Sequence, residues 1–131
     1  MLGIDTNVLV RLLVEDDAAQ TRRARVLVEE AIEAEEAILV SLPVIIEAEW
    51  VLRSRYGFDK AATLRSFVAL LSSRELAFED EPSIEEAVHR WKGSKAGFVD
   101  CLIAAHNRRL GCSATATFDA SAARIPGFVA A

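Results

Sequence analysis

The sequence predicts an α/β fold on a parallel sheet, and three observations carry that prediction. Short apolar runs alternate with longer segments whose apolar residues recur every three or four positions, the pattern of strands covered by helices. The chain has 131 residues, of which 52% are hydrophobic. That suits a single domain with a sizeable core and is too apolar for disorder. Finally, the first apolar run ends on an acid, Asp5, before a helical pattern begins. Open parallel sheets place their ligand sites at such strand ends.

In chain order, Leu2-Gly-Ile4 reads as a short buried strand, and Asn7 to about Leu13 as a helix with Val8, Leu9, Leu12 and Leu13 at helical spacing. Asp16 or Asp17 caps a second helix, with a stripe of Ala24, Leu27, Val28, Ala31 and Ile32. Ala37–Val40 is a second strand, and Ser41 and Pro43 open a third helix that Gly57 ends after Tyr56. Asp59 caps a fourth helix ending near Ser72, and Glu75–Phe78 is the third strand. Ser83-Ile-Glu-Glu86 has the form of a capping box for a fifth helix that stops near Gly93. The sixth helix runs from Phe98 to about Arg109; Cys112–Ala116 follows as a strand, and Phe128-Val129 as a short fifth.

Composition removes several classes of function. The net charge is −5, with 20 acids against 15 bases, which argues against a broad basic nucleic-acid surface. Two bound divalent cations would offset most of that charge, so the argument weakens if some acids ligate metal. No apolar run approaches the roughly 18 residues a membrane helix needs, and no basic leader precedes the first strand. The expected location is therefore the cytoplasm. Cys101 and Cys112 lack zinc-type spacing and read as buried small hydrophobes rather than a disulfide.

Four acids stand out from the rest. Asp5 ends the first strand. Glu47 has no basic residue at helical spacing and neighbours Pro43, Val44, Trp50 and Val51, so it is expected at the edge of the apolar stripe, where an unpaired charge is costly. Glu49 has Arg53 four residues on and reads as a surface ion pair. Asp100 stands in the first turn of the sixth helix, where the helix dipole by itself also favours an anion. Asp119 follows the fourth strand and has a turn or cap as its plain structural role. Asn7 and Thr117 are placed to orient neighbouring carboxylates, although Asn7 is also an acceptable helix cap. The denser cluster Glu79, Asp80, Glu81, Glu85 and Glu86 reads as a solvated loop and a cap. His89 and His106 lack metal-like partners, and Trp50 and Trp91 read as packing residues.

An all-carboxylate site suits hard cations, Mg²⁺ or Mn²⁺, rather than zinc or copper. No Ser/His or Cys/His pair competes as a nucleophile, so the chemistry expected is metal-assisted phosphodiester hydrolysis. Arg11, Arg53, Arg55, Lys92 and Lys95 flank the acids and could hold a nucleic-acid backbone.

These residues also carry a family resemblance. Ile4-Asp-Thr-Asn-Val-Leu-Val-Arg-Leu-Leu13, Val44-Ile-Ile-Glu-Ala-Glu-Trp-Val-Leu-Arg53, Phe98-Val-Asp-Cys-Leu-Ile-Ala-Ala105 and Thr115-Ala-Thr-Phe-Asp119, in this order, resemble the PIN-domain ribonucleases and, within them, the VapC-type toxins of bacterial toxin–antitoxin pairs. The resemblance implies an α/β sandwich with a central parallel sheet and cleavage of RNA dependent on Mg²⁺ or Mn²⁺. Its metal-binding acids fall on Asp5, Glu47, Asp100 and Asp119, and its polar helpers on Thr6, Asn7 and Thr117. It also implies a homodimer neutralised by a small antitoxin whose C-terminal tail covers the active site. Val99 departs from the alanine usual before the third acid, and the fourth acid is the most variable part of the pattern. Two other readings are weighed beside it: a non-catalytic RNA-binding relative, and a phosphoacceptor receiver domain. The receiver would want paired acids near the first strand and a late lysine, whereas the last lysine here is Lys95.

Overall fold

Each of the first three strands is followed by a pair of helices, and the computed structural model describes all of residues 1–131. The chain falls into two units, residues 1–79 and 80–131. In the first, β1 (Leu2–Gly3), β2 (Ile38–Val40) and β3 (Leu76–Phe78) form a parallel sheet in the order β1-β2-β3. The register pairs Leu2 with Ile38 and Ile38 with Leu76. The backbone amides of Ile4 and Glu79 extend the pairing, donating to Leu39 and Val40 carbonyls. The residues that follow in register, Asp5, Ser41 and Glu79, therefore share the carboxyl edge of the sheet.

Four helices complete this unit: α1 (Thr6–Leu13), α2 (Ala18–Glu33), α3 (Leu42–Tyr56) and α4 (Lys60–Leu71). Asp17 and Asp59 cap α2 and α4 by accepting from the Gln20 and Ala62 amides at 3.0 and 2.8 Å. Gly57 ends α3 at φ 64°, a left-handed conformation that costs a glycine little. Leu9, Val10, Ile38, Val40, Ile45, Leu52 and Phe67 are buried in the core. β1 departs from the expected buried strand: Leu2 and Gly3 are exposed at the sheet's edge, and only Ile4 beyond them is buried.

The second unit pairs α5 (Glu81–Lys92) with α6 (Phe98–Arg109) and adds β4 (Thr115–Thr117), a short 3₁₀ helix (Ala122–Arg124) and β5 (Phe128–Ala130). β4 and β5 are parallel, with Thr115 opposite Phe128. Trp91 and Phe98 join α5 to α6, their ring centroids 5.5 Å apart and tilted by 57°. Cys101 is buried as expected, but Cys112 is exposed and lies before β4 rather than in it.

Two expectations for this unit are overturned. The capping box at Ser83 is not used, because α5 begins at Glu81 with Pro82 in its first turn and Ser83 is buried inside the helix. Proline has the φ a first turn needs, which lets the helix start three residues early, with Asp80 rather than Ser83 before its first residue. Nor is the acidic cluster uniformly solvated. Asp80, in the left-handed region at φ 52°, receives His106 Nδ1 at 2.6 Å and Arg109 Nε at 2.8 Å, with its side chain 13% exposed. Burial alone would raise its pKa, but the Ser83 hydroxyl, His106 and Arg109 outweigh burial and hold the carboxyl below its ordinary value.

A group with a lowered folded pKa stabilises the protein above the usual carboxylate range, and that contribution is lost as pH falls through the lowered value. Asparagine tolerates the left-handed backbone as well as aspartate does, so Asp80→Asn isolates the charge. Because His106 and Arg109 are partly exposed, the expected loss at pH 7 is about 1–2 kcal/mol. Urea unfolding should show that gap at pH 7 and a smaller one near pH 3. An equal gap at both would rule out the charge as its source.

Candidate active site

Asp5 sits where β1 gives way to α1, and its Oδ1 accepts from the Val8 amide at 3.0 Å. It is thus the N-cap of α1, a role the sequence left open for Asn7, which instead lies exposed inside the helix. Thr6 is the first helical residue and is buried. Asp5 and Asn7 line a cavity of about 390 Å³ together with Arg11, Gln20, Arg23 and Arg55. Arg11 spans the wall: Nε donates to Gln20 at 2.7 Å and Nη1 to the Tyr56 hydroxyl at 2.9 Å, and it pairs with Asp16. The Tyr56 hydroxyl donates in turn to Asp16 Oδ2 at 2.8 Å. Hydrogen bonding to Tyr56 raises the Arg11 pKa above, and lowers the Asp16 pKa below, the ordinary values. Arg11 is therefore a fixed strut, whereas Arg23 and Arg55 bring uncompensated charge to the cavity.

The third helix corrects the expectation for its acids. Ile45, Ala48, Val51 and Leu52 form the buried stripe, and Glu49 is buried with them at 6% exposure. Its Oε1 accepts from Arg53 Nε at 3.0 Å, so the pair expected at the surface holds a buried carboxylate. Glu47 is exposed rather than lodged at the apolar edge, and Trp50 beside it is 53% exposed rather than packed. Exposure removes the burial cost expected for Glu47. What remains is a carboxylate open to solvent with neither hydrogen bond nor ion pair.

Glu79, expected in a solvated acidic loop, has a structural task instead. Its Oε1 accepts from the Leu42 amide at 2.8 Å and so satisfies the start of α3, where Ser41 makes no side-chain cap. The available signal was an acid directly after the third strand, matching Asp5 after the first.

In the second unit, Asp100 occupies the first turn of α6 and is half-buried, with no hydrogen-bonding side chain at the Gly97 cap. Asp119 Oδ1 accepts from the Ser121 and Ala122 amides at 2.7 and 2.9 Å, a cap on the 3₁₀ turn. Thr117 orients Asp119 through the main chain: its hydroxyl accepts from the Asp119 amide at 3.0 Å. In both Asp5 and Asp119 one carboxylate oxygen takes the capping amides and the other has no protein partner.

The donor set of Asp5, Glu47, Asp100 and Asp119 is all oxygen, which fits a hard divalent cation. Within neither unit do three His, Cys, Asp or Glu side chains gather into a metal-holding group. No helix is long and apolar enough to cross a membrane. Comparison with curated proteins and with solved structures finds no match. The PIN domain family model matches residues 3–127, from β1 to the threshold of β5 and across all four acidic segments. Its members are generally nucleases that work with divalent metal ions. The chain belongs to the PIN-domain family.

Proposed function

We propose that this chain is a Mg²⁺- or Mn²⁺-dependent endoribonuclease and the toxin of a toxin–antitoxin pair. The observation that carries the reading is Asp5 at the carboxyl edge of a parallel sheet, inside a chain matched by the PIN model over residues 3–127. The metal would be held by Asp5, Glu47, Asp100 and Asp119. The chemistry such an ion supplies is a nucleophile at neutral pH and charge neutralisation at a phosphate. The chain's own residues do the rest. The Val8 amide fixes one oxygen of Asp5 and leaves the other without a protein partner, and the 3₁₀ amides, with Thr117 holding the main chain, do the same for Asp119. Arg23 and Arg55, in the cavity that Asp5 lines, are suited to hold backbone phosphates. A receiver domain is not supported, since the matching family is a different one.

The partners proposed are a second copy of the chain and a small antitoxin. Apolar side chains left in solvent in each unit support partner contacts: Ile46 and Trp50 on α3 and Val68 on α4 in the first, and Phe118 before Asp119 in the second. The test is cleavage of total RNA by the purified protein. Mn²⁺ or Mg²⁺ should support it and EDTA should abolish it, while light scattering reports twice the 14.3 kDa chain mass. RNA bound but uncut in Mn²⁺ would favour the non-catalytic relative instead.

A further inference from the structure

The second unit holds a cavity of about 440 Å³ that contains none of the four candidate acids. His89 and Arg90 from the last turn of α5, Lys95 from the following loop and Arg124 from the 3₁₀ helix line it, with Ser94 and Ser121 between them. No acid lines it, although the chain as a whole carries −5. Helix-dipole compensation accounts for basic residues at the end of α5, but it does not account for Lys95 or Arg124, which come from two other segments. The other arginines of this unit behave differently: Arg108 pairs with Glu86, and Arg109 with Asp80. His89, Arg90, Lys95 and Arg124 make no ion pair and are exposed. Arg90, Lys95 and Arg124 thus make a concave cluster of one sign, which focuses potential and draws an anion.

We propose that this cavity is a docking site for the phosphodiester backbone of single-stranded RNA, separate from the carboxylates that would hold metal. The inference rests on the nuclease reading. Guanidinium groups match phosphate oxygens in paired hydrogen bonds, and lysine adds a point charge. The volume falls within the range of pockets that enclose small molecules, enough for a phosphate with its sugar. Position favours RNA over an acidic peptide: Ser121 lines the cavity while its amide donates to Asp119, so the cations adjoin the turn that carries a candidate site acid. Six of the nine lining residues are polar or charged and only Ile125 and Pro126 are larger apolar ones, whereas a peptide groove calls for more apolar anchors.

The test is binding of a labelled oligouridylate of roughly 12 nucleotides, in EDTA, by fluorescence anisotropy across a salt series. Arg90→Ala/Lys95→Ala/Arg124→Ala should weaken binding about 10-fold or more at low salt and make the log–log salt slope shallower by about 2. Arg22→Ala/Arg65→Ala/Arg74→Ala removes the same charge from exposed positions of the first unit and should leave the slope nearly unchanged. Lys95→Glu alone, in a loop outside every helix, should weaken binding several-fold, so a folding defect in the triple variant does not shelter the proposal. Equal loss in both triple variants, loss in neither, or no RNA binding by the wild-type chain would overturn it. So would loss of oligoglutamate binding with oligouridylate binding intact. Cleavage is scored separately: a chain that binds RNA through this cavity but cuts nothing in Mn²⁺ refutes the nuclease reading and keeps the site. One that cuts normally with the cavity neutralised, and binds RNA as tightly, refutes the site and keeps the nuclease.

Discussion

Asp5→Asn is expected to lower RNA cleavage by about 10²- to 10³-fold while leaving the fold intact, the scale on which a single electrostatic contribution to a transition state acts. The substitution separates the two roles the structure gives this residue. As the N-cap of α1, Asp5 accepts from the Val8 amide at 3.0 Å, and asparagine caps about as well as aspartate. Thermal stability should therefore barely move. As a metal ligand, the residue needs its negative charge, which asparagine lacks. Asp5→Ala is the useful contrast, since it removes both roles and should cost about 1 kcal/mol of stability in addition. Turnover of a defined RNA by the two variants, beside their melting curves, checks this. Full activity in Asp5→Asn would leave Asp5 as a helix cap and nothing more.

Phe98→Ala has the largest expected effect on stability, a loss of about 3–5 kcal/mol. Phe98 is 1% exposed and opens α6 with its ring against Trp91 of α5. Truncation leaves a void between two helices that supply most of the second unit's core. Asp100 stands two residues further on, so loosening this turn also loosens a proposed ligand. Denaturant unfolding measures the loss, and a cycle with Trp91→Leu should return a coupling of about 0.5–1.5 kcal/mol. A loss under about 1 kcal/mol would mean that the site collapses around the smaller side chain.

Much of this was legible in the sequence because it is local. Asp17, Asp59 and Gly57 announced helix boundaries, since a cap or a left-handed stop depends on a few neighbouring residues. Helix α3 was the instructive failure. Ile45, Ile46, Val51, Leu52 and Trp50 surround it with apolar residues, so its pattern does not say which side is buried. The packed stripe settled it, placing Glu49 inside and Glu47 outside. Asp80 failed for a different reason. Its partners His106 and Arg109 are distant in sequence, and three consecutive acids resemble a solvated loop until a returning helix brings both partners to one of them.

By itself, then, the sequence determined the alternation of strands and helices, the PIN-type order of acids and the strand-end position of Asp5, because periodicity and chain order are properties of the chain alone. Only the tertiary structure decided which carboxylates are buried, which are tied to capping amides and which arginines are left unpaired around a cavity. Those outcomes depend on which faces pack together, and packing is set by contacts between residues far apart in the chain.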